Sequence, residues 1–374
     1  MQKSWIKNVS LILIILAIGI FAGYLIFGRN KTPENKAQEN LNPNISSISK
    51  QEENLAKTNK EEPKALVPKK EANTPPPEPP LPEGTDRFIV SLSSTNENIA
   101  KNLKDNGYIN DEESFISILQ KEKNPISPGA YKISKEMTEV QLNKILHGKP
   151  YMKWIVIKEG LRKEEIAELL AQNLGWTSKQ KSDWINKDTK TSPEYTEGVY
   201  YPDTYLIPTS EEPALVAKRL IAKFNEKFAP YLPLFTAKNI KWAKALTLAS
   251  IVQREASNKS DMPLIAGILW NRLDQEMALG VDATLQYIRG NKGAGWWAPI
   301  SLAEKQIDSP FNTYKYKGLP PYPISNPGIS AIEAVLNPIK TDCLYYIHDK
   351  NRSTHCAVTY EEHQSNIQKY LIQQ

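Results

Sequence analysis

Three observations predict an α+β protein carried on a transmembrane helix. Residues 8–28 of the 374-residue chain carry no charge, and residues 9–27 are almost wholly apolar. A run of about 20 such residues crosses a bilayer as a helix. Residues 30–86 contain no aromatic residue and are rich in Lys, Glu, Asn and Pro, a composition that cannot offset its own ordering entropy. From residue 87 onward, short strand-like runs and amphipathic helical runs follow one another with turn residues between them. The division is therefore a cytoplasmic tail (1–7), a transmembrane signal anchor (8–28), a disordered linker (29–86), a small α+β module (87–150) and a mixed α+β domain (151–374).

Lys3 and Lys7 precede the apolar run, and Arg29 and Lys31 follow it, so charge orients the helix only weakly. The short tail favours an N-terminus that stays inside while the remainder crosses. A cleaved signal peptide is the rival reading, opposed by the length of the run and by the lack of an A-x-A site. The linker ends in TPPPEPPLPEG, an extended and stiffer spacer. The formal charge of +5 comes without a long Lys/Arg run, so nucleic acid is not an expected partner. An anionic surface, such as a cell wall or lipid head groups, is. Cys343 and Cys356 are the sole cysteines and the four histidines show no HExxH pattern, so neither a metal nor another cofactor is expected.

RFIVSL, from Arg87, reads as a strand, and residues 95–106 as an amphipathic helix stopped by Gly107. DEESFISILQKE is a second helix with Asp111 as its cap. Residues 128–133 turn into a strand, and residues 138–147 form a further helix ended by Gly148. WIVIKEG then reads as a strand and LRKEEIAELLAQNLG as a helix closed by Gly175, so a strand–helix–Gly phrase recurs. Such units resemble LysM-type modules, which hold glycan chains. An adaptor that only positions the next domain is the alternative.

Beyond residue 151 the polar phrases become dense: EGVYYPDTYLIP (197–208), GVDATLQYIRG (280–290) and SPFNTYKYKGLPPYPISNPG (309–328). The last holds five prolines and three tyrosines besides Phe311. It can be neither regular helix nor central strand, and it is too aromatic for disorder. A rigid wall is expected, its flat aromatics suited to the apolar faces of sugar rings. Residues 331–336 give a short helix. CLYYIHDKNRSTHCAVTY gives a hairpin turning at residues 349–353, and residues 360–371 give a closing helix. The cysteines lie on the two presumed strands. A disulfide is one reading, and two small core residues is the other.

Residues 242–273 read as a helix, a polar break and a second helix, with Pro263 in the first turn of the second. Leu248, Ile251, Val252 and Glu255 share one face, while Gln253 and Arg254 fall off it as solvent-facing residues should. A carboxyl aimed at an apolar face has a raised pKa and can serve as a general acid. A Glu that pairs with Arg254 or Lys259 is the plain alternative.

These phrases together resemble the endolytic murein transglycosylase (MltG or YceG-like) family. The resemblance is carried by EGLRKEEIAELL, EGVYYPDTY, LASIVQREA, IAGILWNRL, DATLQY, SPFNTYKYKGLPP, ISNPGISAIEAVLNP and THCAVTYEEH. Tyr322, Ala283 and Ala357 depart from the usual Gly, Pro and Phe, and Gln253 replaces a frequent second acid. The resemblance implies cleavage, without water, of the β-1,4 bond between MurNAc and GlcNAc in peptidoglycan strands. It makes Glu255 the acid and base, and it implies cooperation with peptidoglycan synthases at the membrane. Asn271, Asp282, Gln286, Asn312 and Asn326 are candidate hydrogen-bond partners for sugar groups, and Tyr314 a candidate stacking ring. A muramidase-type hydrolase with Asp282 or Glu197 as second carboxylate, and a non-catalytic wall-binding scaffold, are the alternatives.

Overall fold

The computed structural model of the chain describes residues 74–190 and 196–373. The expected tail, the transmembrane helix and the linker as far as residue 73 lie outside the described residues. Residues 75–82, in the Pro-rich end of the linker, run without helix or strand. Among the described residues no helix is long and apolar enough to cross a membrane.

The first elements are β1 (Asp86–Val90), α1 (Asn96–Asp105), α2 (Glu112–Leu119), β2 (Gly129–Ile133) and α3 (Glu139–Leu146). This is the expected β-α-α-β unit with an added helix. Its helix starts are written in the sequence. Thr95 and Thr138 form capping boxes with Asn98 and Gln141, and Asp111 accepts from the Glu113 and Ser114 amides. Phe88, Leu103, Phe115, Leu142 and Leu146 form a core of their own.

The chain continues with β3 (Met152–Val156), α4 (Lys163–Leu174), α5 (Ser178–Asp183) and β4 (Thr204–Pro208). All four strands form one antiparallel sheet in the order β1-β2-β3-β4, so the sheet runs across position 150. Its middle seam is short, pairing Gly129 with Lys153 and Ala130 with Met152. A Cβ on Gly129 would lie 2.4 Å from the Met152 carbonyl oxygen, so only glycine lets these strands meet. β4 is an unforeseen strand inside the phrase 197–208. It lies at the sheet edge, where Pro208 costs no ladder bond.

The larger core is mostly helical. To buried residues of β3, β4 and α4 it adds α6 (Pro213–Phe228), α7 (Leu232–Ala237), α8 (Trp242–Glu255), α9 (Met262–Asp274), α10 (Asp282–Arg289) and α11 (Ile329–Leu336). Residues 245–252 of α8 are all buried, because α9, α11 and the segment 309–328 enclose that helix. Gln253 and Arg254 therefore do not face solvent as expected. Gln253 accepts the Gly328 amide at 3.0 Å, and Arg254 lies over Trp297.

The hairpin of β5 (Tyr345–His348) and β6 (Thr354–Ala357) and the helix α12 (Tyr360–Ile367) complete the chain. Cys343 and Cys356 form a disulfide, their Cα atoms 5.9 Å apart.

Candidate active site

The segment 309–328 is the rigid wall that its composition suggested. It contains neither helix nor strand, yet Phe311, Asn312, Thr313 and residues 323–328 are buried. Ser250 of α8 fastens it by accepting the Ile324 amide at 3.0 Å, while Ser325 donates to the Ser250 carbonyl at 3.1 Å. Asn326 is fully buried. It donates to the Leu161 carbonyl and, at 2.7 Å, to Glu197, and it accepts the Tyr200 amide at 2.8 Å. A Cβ on Gly328 would lie 2.2 Å from Glu159 Oε1, so glycine admits that carboxylate beside α11.

Glu255 is the last residue of α8, where the helix dipole already disfavours a negative charge. Burial raises its pKa above the ordinary carboxylate value. The Tyr346 hydroxyl, donating to Oε2 at 2.7 Å, pulls it partly back, while the Asp282 charge pushes it up. His348 and the Ala283 amide also favour the charged form, and the balance leaves the carboxyl raised. Burial and Glu255 itself hold the Tyr346 phenol far above its usual range. Tyr346 therefore remains a proton donor to Glu255 at any physiological pH.

The last turn of α9 delivers Tyr346. Asn271 donates to the Thr341 and Cys343 carbonyls at 2.7 and 3.1 Å, and Arg272 donates to those of Leu344 and Leu279. On the far side of the hairpin, Asp261 accepts from His348, Thr354 and the Ser257 and Asn258 amides. The loop after Glu255 and the hairpin are thus tied to one carboxylate.

Of the polar candidates, Asp282 and Tyr314 are brought to the acid. Asp282 is exposed at the start of α10, accepts from the Tyr314 hydroxyl, and has Lys305 Nζ 3.9 Å away. Lys305 in turn lies 4.3 Å over the Tyr314 ring. The other amides hold backbone. Asn312 is buried and donates to the Lys305 and Ile307 carbonyls, Gln286 donates to those of Trp297 and Ala298, and Asn271 and Asn326 act as above. Glu197 is fully buried, and burial, with Glu164 adding to it, pushes its carboxyl up to about 7. It cannot reach a glycosidic oxygen. Tyr346, 91 residues from Glu255 in the chain, went unpredicted, and no local pattern marks it. Among the described residues no group of three or more His, Cys, Asp or Glu could hold a metal ion.

One raised carboxyl at a half-buried helix end, faced by a phenol and set near Asp282 and a Pro- and Tyr-rich segment, is the candidate site of this α+β protein. The chain belongs to the YceG-like family, whose model matches residues 88–369. It is 31% identical over 310 residues to the endolytic murein transglycosylase of Bacillus subtilis (strain 168), covering 77% of this chain and 85% of that protein. It is 34% identical over 181 residues to the endolytic murein transglycosylase of Streptococcus pneumoniae serotype 2 (strain D39), covering 47% of this chain and 32% of that protein. The 2.6 Å crystal structure of a putative YceG-like protein from Listeria monocytogenes superposes with a TM-score of 0.56 at 26% identity, over 76% of this chain and 99% of that one.

Proposed function

We propose that the chain is a membrane-anchored endolytic peptidoglycan lytic transglycosylase, cutting the MurNAc–GlcNAc β-1,4 bond of nascent strands. The observation that carries this reading is the raised carboxyl of Glu255 held by Tyr346, in a chain of this family. Protonated Glu255 gives its proton to the glycosidic oxygen as the bond from that oxygen to the MurNAc anomeric carbon breaks. The resulting carboxylate, stabilised by the Tyr346 hydroxyl, then takes the proton of the sugar's own 6-hydroxyl. The 6-oxygen closes onto the anomeric carbon, giving a 1,6-anhydroMurNAc end and a free GlcNAc hydroxyl. The nucleophile belongs to the substrate, so proximity replaces a bound water.

A hydrolase is the second reading, favoured by the Asp282 charge that acts on Glu255. Asp282 would then activate a water, as in two-carboxylate glycosidases. The deciding experiment incubates detergent-solubilised full-length chain, and its Glu255→Gln variant, with uncrosslinked strands and weighs the new ends. Anhydro ends from the parent, with a loss of at least about 100-fold in the variant, are expected of an acid–base residue. Ends heavier by one water would transfer the assignment to the hydrolase. Undiminished cutting by the variant would remove Glu255 from the chemistry.

In this reading residues 87–150 form a LysM-like glycan-holding module, and residues 8–28 anchor the enzyme with its catalytic domain outside the cytoplasm, beside peptidoglycan synthases. The Cys343–Cys356 bridge supports a non-reducing compartment. Protease added to intact spheroplasts is expected to destroy a C-terminal tag. Protection of that tag until lysis would refute the orientation.

A further inference from the structure

Arg162, Arg254 and Arg289 lie around this site, the first two against aromatic rings, and Arg254 differs from the others. Arg162 stacks on Tyr287 and Trp296 at 4.2 and 4.8 Å, donates to Glu164 at 2.5 Å and to the Tyr287 carbonyl at 2.8 Å. Arg289 also has a buried Nε without an acceptor, but its other nitrogens donate to the Ala298 and Pro299 carbonyls and pair with Glu304. Arg254 lies 3.9 Å over the Trp297 ring and makes no hydrogen bond or ion pair among the described residues. Its Nε is buried without an acceptor. The carboxylate that acts on it most, Glu165, is spent elsewhere, accepting Trp297 Nε1 at 2.9 Å and the Arg162 amide at 3.1 Å. Burial lowers the Arg254 pKa, since a charge withdrawn from water without a partner is costly. The residue is half-buried, and of its guanidinium nitrogens only Nε is recorded as buried without a partner, so its Nη atoms are left to water or to a ligand.

The place is informative. Arg254 precedes the acid in the chain. Trp297 is held by Gln286, one turn along α10 from Asp282 and Ala283, which stand at Glu255. The same helix, α10, thus touches both Glu255 and the backbone of Trp297, its two contact points separated by about 6 Å of helical rise. The backbone at Gly160 adds to the fit, since a Cβ there would meet Arg254 Nη1 at 3.2 Å. An aromatic plate with a guanidinium whose fork lacks an acceptor is complementary to a planar anion. A muramyl residue carries one such group close to the scissile bond, in the carboxylates of the peptide on its lactyl ether.

We propose that Arg254, seated on Trp297, binds a carboxylate of the stem peptide on the muramyl residue being cut. This rests on the proposed function for its substrate. It adds that the enzyme reads the peptide as well as the sugars.

The test uses the full chain and three strand preparations: stem peptides intact, stem carboxylates converted to amides, and stems removed by an amidase. Initial rates of end formation are compared for the parent and Arg254→Gln, with melting curves as a folding check. The parent-to-variant ratio is expected to be about tenfold larger on intact strands than on the other two. Arg254→Lys is expected to recover part of the difference. Cosedimentation of Glu255→Gln, with and without Arg254→Gln, on the same strands gives a readout that needs no cutting, and the same order is expected. Equal ratios on all three preparations would overturn the inference and leave Arg254 acting through Glu255 or the fold. A ratio that persists on amidated strands but vanishes on stripped ones would also overturn it, in favour of a neutral carbonyl. Discrimination in binding by a parent that cuts nothing would uphold the seat and reject the transglycosylase.

Discussion

At the scale of the residue, the site turns on how two groups share one proton. Tyr346 stabilises only the ionised form of Glu255, so it makes the acid a better donor and the carboxylate a more persistent partner. Tyr346→Phe removes a hydrogen bond to a charge, a contribution of about 1.5–3 kcal/mol in general. The Glu255 pKa is already raised by burial, and it should rise further, by roughly one unit. The acid form is the one that starts the reaction. The alkaline limb of kcat/KM should therefore move to higher pH, with a several-fold drop in rate at the optimum. A pH–rate profile checks this, and a lower rate with an unmoved limb would reduce Tyr346 to a packing residue. The spacing alone left Glu255 open between a plain paired carboxylate and an acid, and the resemblance decided between them; the structure places it beside Tyr346 with a raised pKa. The amides were not legible. Asn and Gln satisfy a sugar hydroxyl and a backbone carbonyl with the same atoms, and only burial tells that Asn312 and Asn326 brace the wall.

At the scale of the element, the hairpin is the part whose position decides the chemistry. Tyr346 pairs across the ladder with Cys356, so the disulfide closes at the rung that carries the phenol. Closing a loop of this size, 13 residues in separation, contributes about 3 kcal/mol by the chain-entropy estimate. Replacing both cysteines by alanine should lower the denaturation midpoint accordingly and move the alkaline limb in the same sense as Tyr346→Phe. Urea titration and the pH profile measure the two effects. An unchanged midpoint would mean that Asn271 and Arg272 suffice to hold the hairpin. Hairpin and capped helices were readable because Thr95, Asp111 and Thr138 announce helix starts and alternation announces strands. α10 was hidden because its eight residues lie between Gly280 and Gly290. β4 was hidden inside a polar phrase and ends in Pro208, which its edge position makes admissible.

At the scale of the molecule, two cores share one sheet. One buried cluster lies within residues 88–146 and the other within residues 155–336. What the sequence could not carry is strand partnership, since pairing joins residues with no local signature. Crossing bonds reinforce the short seam: the Tyr151 amide to the Ala130 carbonyl at 3.0 Å, Trp154 Nε1 to the Val90 carbonyl at 3.0 Å, and Arg87 to the Tyr151 hydroxyl at 2.7 Å. A chain begun at residue 151 should retain its helical core but present the open edge of β3. It should self-associate and melt several degrees below the longer chain. Sedimentation and calorimetry test this, and a monomer with an unshifted midpoint would show the seam to be incidental.

The seam also limits how such a protein can be rebuilt. Modules strung on linkers can be exchanged like beads, since nothing but reach passes between them. Here the exchangeable boundary is a ladder whose register is fixed by Gly129, a residue with no room for any other. A different front module would need its own strand beginning with a glycine at that rung, or the rear half would be left with an unpaired margin. The front and rear halves are therefore tied together, and the distance between them is set by the sheet itself.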